Sequence, residues 1–109
     1  ELKSQGTSIT EGIGTGRITK NYEKAIVDEA FQTSDVEALN IVYDLIISQK
    51  IVLGGSSGIN IAGAIKLAKK LGPNKNIVTI LCDDGRRYAS KIFNKKFLKD
   101  KNLPIPKWL

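Results

Sequence analysis

Two apolar runs, "KIVLGG" at residues 50–55 and "NIVTILC" at 76–82, flank a helical pattern, and this alternation restricts the fold more than any other feature of the chain. Strand, helix, strand reads as a parallel crossover within an α/β layer architecture. The second run is apolar at nearly every position, the composition of a strand covered by helices on both faces. It meets Asp83 and Asp84 with no polar spacer. Open parallel sheets bind ligands at the carboxyl ends of their strands, so two carboxylates at a strand tip mark a candidate site. A turn leading into a helix cap favours the same residues.

Upstream, Ser34 followed three residues later by Glu37 has the pattern of a capping box. Val36, Leu39, Val42, Tyr43 and Ile46 continue at helical spacing, which predicts a helix over 35–48. "SSGINIAGAIKLAKKLG" predicts a second helix from Gly58 to Leu71, stopped by Gly72-Pro73. A further strand is expected at Asp28–Thr33, short helices in "RRYASKIF" and "NKKFLKDK", and loop over the glycine-rich residues 1–21. The proline-broken tail "NLPIPKWL" is expected to lay Trp108 in a surface groove. Both long helices carry apolar stripes wider than two or three strands can cover, and so small a parallel sheet leaves unpaired edges. The expectation is a three-layer α/β fold with a mostly parallel sheet, present here as an incomplete part of a larger domain that more chain completes.

Composition narrows the function classes. At 109 residues, 41% hydrophobic and 26% charged, the chain suits one small globular domain rather than a disordered segment. Its apolar runs are too short to cross a bilayer, and no basic-then-apolar leader opens it, so no membrane partner is expected. The one cysteine, Cys82, cannot form an internal disulfide, which favours a reducing compartment and a cytoplasmic location. A net charge of +6 raises the question of nucleic acid. That charge is nearly all scattered lysine, with arginine only at 17, 86 and 87, and reads as solvated surface.

The glycine stretches are weighed next. "GIGTG" at 12–16 has the wrong spacing for a dinucleotide fingerprint and lacks the strand that should precede it. Its glycines could still let backbone approach a ligand closely. "GGSSG" at 54–58, between a strand and a helix, could hold an anion on backbone amides, or be a tight turn capped by Ser56 or Ser57. A Walker Lys-Ser/Thr pair is missing, which argues against a nucleoside triphosphate. Without histidine, histidine-based triads and His/Cys metal clusters are excluded in this chain. Cys82 reads as a small core residue rather than a nucleophile. Adjacent residues on a strand point to opposite faces, so only one of Asp83 and Asp84 should enter a given pocket.

Taken in order, "SITEGIGTGRI", "LGGSSGINIAGAIKLAKKLGP", "IVTILCDDGRRYASKIFN" and "LPIPKWL" resemble the C-terminal third of cysteine synthases and cystathionine β-synthases, over nearly the whole chain. The resemblance implies a fold-type II enzyme dependent on pyridoxal 5′-phosphate, with two α/β domains around the cofactor. Residues 1–109 would be the C-terminal part of the large, cofactor-binding domain. The Schiff-base lysine and the phosphate-gripping loop would lie upstream, so no catalytic residue is assigned here and residues 1–109 alone should be inactive. The "EGIG" loop would line the cofactor ring and substrate, making Gly12 and Gly14 pocket residues. Asp84 would stand where the family has a Ser or Thr that bonds the pyridine nitrogen. A carboxylate there would favour a protonated ring. Otherwise Asp84 turns outward, caps the helix at Arg86, or pairs with Arg86 or Arg87. Asp83 would point away and cap the following turn.

The implied chemistry is β-replacement: an activated serine such as O-acetylserine loses its leaving group, and sulfide or another thiol adds to give L-cysteine. Implied partners are the amino-acid substrate, sulfide or thiol, the remainder of the enzyme chain, and a second copy in a homodimer. The alternatives are β-elimination, cystathionine synthesis from serine and homocysteine, and a non-catalytic binding module of the same fold.

Overall fold

A computed structural model describes residues 8–14 and 16–109. Four α-helices are present among them: α1 (Lys20–Glu23), α2 (Asp35–Gln49), α3 (Gly55–Leu71) and α4 (Lys95–Asp100), with a 3-10 turn at Gly85–Tyr88 between α3 and α4. The loop expected over 1–21 is found where it is described, except that its last two residues begin the single turn of α1.

Helix α2 begins where the capping box places it. The Ser34 side chain accepts from Glu37 N, and the Glu37 carboxylate accepts from Ser34 N at 2.9 Å. Two of the orphan amides at the helix start are thereby satisfied. Leu39, Val42 and Tyr43 of the stripe read from the sequence are buried, with Ala38 beside them, whereas Val36 is exposed. Helix α3 ends at Gly72 as expected, but starts three residues earlier than Gly58. Gly54 takes the N-cap position with no side-chain cap, so neither Ser56 nor Ser57 caps the helix. Ser57 is buried inside the first turn instead. The two long helices meet closely at Gly58: a Cβ there would lie 2.5 Å from the Ala38 carbonyl oxygen and 2.9 Å from Val42.

The core gathers around α2. Leu39, Val42 and Tyr43 pack with Ile92 and Leu98, and the Tyr43 hydroxyl donates to the Ile92 carbonyl at 2.7 Å. Burial pushes that phenol up to about 12. Phe93 and Trp108 approach the Tyr43 ring edge-on, with centroids 6.2 and 5.8 Å away, so the tail does lay Trp108 against the body. Helix α4 confirms the expected "NKKFLKDK" element, whereas "RRYASKIF" forms the 3-10 turn and irregular turns rather than an α-helix.

The expected sheet is not formed. Among the described residues, segments 28–33, 51–54 and 76–82 form no ladder, and one isolated bridge pairs Leu53 with Asp84. That bridge is antiparallel, with Gly54 N donating to the Asp83 carbonyl and Gly85 N to the Val52 carbonyl, where parallel pairing was expected. A strand is a relation between neighbours, and the neighbours are missing. Val78 is 92% exposed and Ile80 71%, values foreign to residues composed for the inside of an α/β layer. A radius of gyration of 14.8 Å, against about 13 Å for a compact domain of 100 residues, fits an opened-out part of a larger body.

Candidate functional site

Three stretches singled out in the sequence converge at the start of α3. The Gly54-Gly55 turn brings the chain into the helix, and both glycines are buried. The Thr10 side chain lies over Gly55, 2.9 Å from where a Cβ would stand. From the other side comes Asp83, whose Oδ1 and the Tyr88 ring fill the space a Gly54 side chain would need. The extended segment 80–82 is held on α3 by polar side chains. Cys82 N donates to the buried Ser57 Oγ at 2.9 Å, and Asn60 Nδ2 donates to the Ile80 carbonyl at 2.9 Å.

The two aspartates follow the outward-turned alternative for Asp84, and the capping role expected of Asp83 falls to Asp84. Asp84, not Asp83, caps the following turn, accepting from Arg86 N at 2.8 Å. Its carboxylate also receives Arg86 Nε at 3.0 and 3.1 Å and Nη2 at 2.7 Å. The hydrogen bonds to Arg86 hold the Asp84 carboxyl down to about 2. Asp83 turns inward. Its Oδ2 accepts from the Tyr88 hydroxyl at 2.6 Å and lies 3.6 Å from Arg87 Nη1, while Oδ1 is buried and accepts nothing. The bond to Asp83 raises the Tyr88 phenol above its ordinary range. An adjacent pair on an extended chain must split between two faces. Asp84 takes the face from which its carboxylate accepts from Arg86 N, and Asp83 the face of Tyr88.

Gly12 and Gly14 both sit at positive φ, +76° and +69°, and a Cβ at either would meet nothing within 4 Å. Their loop is tied down on its near side. Ser8 Oγ and Ile9 N donate to Asp35 at the start of α2, at 2.7 and 3.1 Å, and Glu11 pairs with Lys91 Nζ at 2.6 Å. Sequence reading missed Asp35 and Lys91, since nothing local distinguishes them from other helix-start acids and surface lysines. These two, with Ser8, Ile9, Phe97 and Leu103, also line an open cleft of about 360 Å³ behind the loop. No group of three or more potential metal-ligating side chains is found among the described residues.

Comparison with known proteins decides what this cluster belongs to. No family model matches the chain. It is 43% identical over 98 residues to the cysteine synthase of Dictyostelium discoideum, covering 90% of this chain and 26% of that protein. It is 36% identical over 95 residues to the putative mitochondrial cysteine synthase of Saccharomyces cerevisiae, 85% of this chain and 24% of that one. To the cystathionine beta-synthase of Mus musculus it is 35% identical over 93 residues, 85% of this chain and 17% of that one. The chain is homologous to the cysteine synthases. It spans about a quarter of the length of the cysteine synthases it matches, so it corresponds to a fragment of such an enzyme.

Members of the cysteine synthase family use pyridoxal phosphate, and the geometry above tests which residues of this fragment fit that group. Three N–H groups of Arg86 engage the Asp84 carboxylate, with Nε shared between its two oxygens. The geometry of Asp84 is that of the capped and Arg86-paired alternative. Gly12 and Gly14 are exposed, with open space where a Cβ would stand. No helix among the described residues is long and apolar enough to cross a membrane.

Proposed function

We propose that this chain is the C-terminal part of the large domain of a pyridoxal-phosphate enzyme that makes L-cysteine by β-replacement on O-acetylserine with sulfide. The observation that carries the reading is the 43% identity to a cysteine synthase over nine-tenths of the chain. In the reaction the bond from Cβ to the acetate oxygen breaks, acetate leaves, and sulfide forms the new carbon–sulfur bond. The cofactor, held largely by chain outside this fragment, would supply the electron sink for bond changes at the α and β carbons. The part taken by these residues is to wall the cleft. Gly12 and Gly14 present backbone without side chains, which lets a planar ring or substrate come close. The Asp83–Tyr88 pair and the Arg86–Asp84 pair hold the turn at the tip of the 76–82 segment rigid beside them.

A second reading rests on the similarity to a cystathionine beta-synthase, which makes serine and homocysteine the competing substrate pair. The full-length enzyme distinguishes the two. Sulfide-dependent cysteine formation from O-acetylserine is the expected activity; cystathionine from serine and homocysteine, or sulfide release from cysteine, would move the assignment to the relative or to β-elimination. A full-length protein without absorbance from a lysine-bound cofactor would make it a non-catalytic module. Homodimerisation is the expected assembly. Fractionation of cells would assign the compartment, for which cytoplasm is the expectation from Cys82 and the mitochondrion is the alternative suggested by the yeast relative.

A further inference from the structure

The loop that would wall the cleft is fastened unevenly. Ser8 and Ile9 are clamped by the Asp35 carboxylate, Thr10 rests on Gly55, and Glu11 reaches Lys91 Nζ at 2.6 Å across 80 residues of sequence. Among the described residues Glu11 carries the last side-chain bond from this loop to another element. The two positive-φ glycines follow at once, with open space around them. Lys91 is not an isolated surface lysine: its backbone N–H donates to the Tyr88 carbonyl at 2.9 Å, so it belongs to the turn that Asp83 and Asp84 hold. The Glu11–Lys91 pair therefore joins the two halves of the candidate site, the glycine loop and the aspartate turn. Among the described residues it is also the one fastening that spans them directly, since Asp35 and Gly55 belong to helix starts.

We propose that Lys91 is a positioning residue, fixing the Gly12–Gly14 loop through Glu11 so that its backbone stands at the substrate side of the cleft. This deepens the reading given under the proposed function and rests on it. Lys91 touches no reacting atom in this arrangement; it sets where Gly12 and Gly14 stand. The pair is exposed at both ends, 41% and 77%, so it is a weak and salt-sensitive tether. A tether of that strength is suited to a loop that must let substrate in and product out.

The test uses the full-length enzyme and two readouts. In Lys91→Gln, an arginine-specific protease should cut after Arg17 more quickly, and KM for O-acetylserine should rise about two- to fivefold with kcat near its original value. Exchanging the charges, Glu11→Lys with Lys91→Glu, should restore both. In the wild type, KM should climb with ionic strength towards the variant's, while the variant's stays level. Unchanged cleavage in Lys91→Gln, or cleavage that the exchanged pair does not bring back, overturns the tether. Faster cleavage, restored by the exchange, with KM unmoved throughout, overturns the positioning role. Because cleavage needs no turnover, an enzyme inert towards O-acetylserine would still report the tether, and then the reaction assignment falls separately.

Discussion

A serine hydroxyl buried in the first turn of a helix is an unusual choice unless it has a partner, and Ser57 has one in Cys82 N. The hydroxyl does not cap its own helix; it supplies the acceptor that a neighbouring strand would give to a ladder amide. Ser57→Ala should therefore leave that amide unpaired and cost about 1–3 kcal/mol, read as a lower denaturation midpoint of the full-length enzyme. Gly58→Ala tests a different force. Its methyl would enter the Ala38 carbonyl and the Val42 side chain, so α2 and α3 must separate, at about 1–3 kcal/mol of overpacking. From the sequence, Asp83 and Asp84 were legible as a pair on two faces, with capping at Arg86 as one of the readings left open for Asp84. The assignment depends on Arg86 N lying within reach of the residue before Gly85, a fact of backbone path that residue types do not encode. Gly12 and Gly14 were legible as positions without side chains, whereas the fastenings of their loop came from Asp35 and Lys91, 21 or more positions away.

The helices were legible because their signals are local. Ser34 and Glu37 sit three apart and satisfy each other's backbone amides, so α2 needs no distant residue to know where to begin. Ser34→Ala should lower stability by about 1 kcal/mol. Glu37 adds a pH dependence: the Ser34 backbone N–H and the Lys66 ammonium hold its carboxyl down to about 2, below the usual carboxylate value. A depressed folded-state value stabilises above the unfolded-state value and is lost as pH falls through the folded one. Stability from Glu37 should thus be complete above about pH 5 and fade between there and about pH 2. Glu37→Gln should flatten that part of a pH–stability profile, and a profile of unchanged steepness would contradict the assignment. Helix α3 was mislocated by three residues for an equally local reason: Gly54 leaves no side-chain signature at the cap. The strands failed for the opposite reason. Residues 76–82 have strand composition, but pairing is supplied by other segments, and the described residues offer only Asp84 opposite Leu53.

At the scale of the whole molecule, the apolar segments 26–27 and 78–81 decide behaviour in solution. Ile26 is 96% exposed, and with Val78, Ile80 and Leu81 it presents apolar surface that a stable monomer seldom leaves bare. Residues 1–109 expressed alone should bind a hydrophobic dye, self-associate and melt without a sharp transition; a monomer with one cooperative transition would show that the core around Tyr43 suffices. The docking of residues 80–82 on α3 has one more consequence. Asn60 and Ser57 grip this stretch by a carbonyl and an amide, groups that every ordinary amino acid carries. The path of the chain here is thus written into the helix, and residues 80 to 82 can change identity without losing their hold. Proline at 82, which has no N–H to give, is the exception.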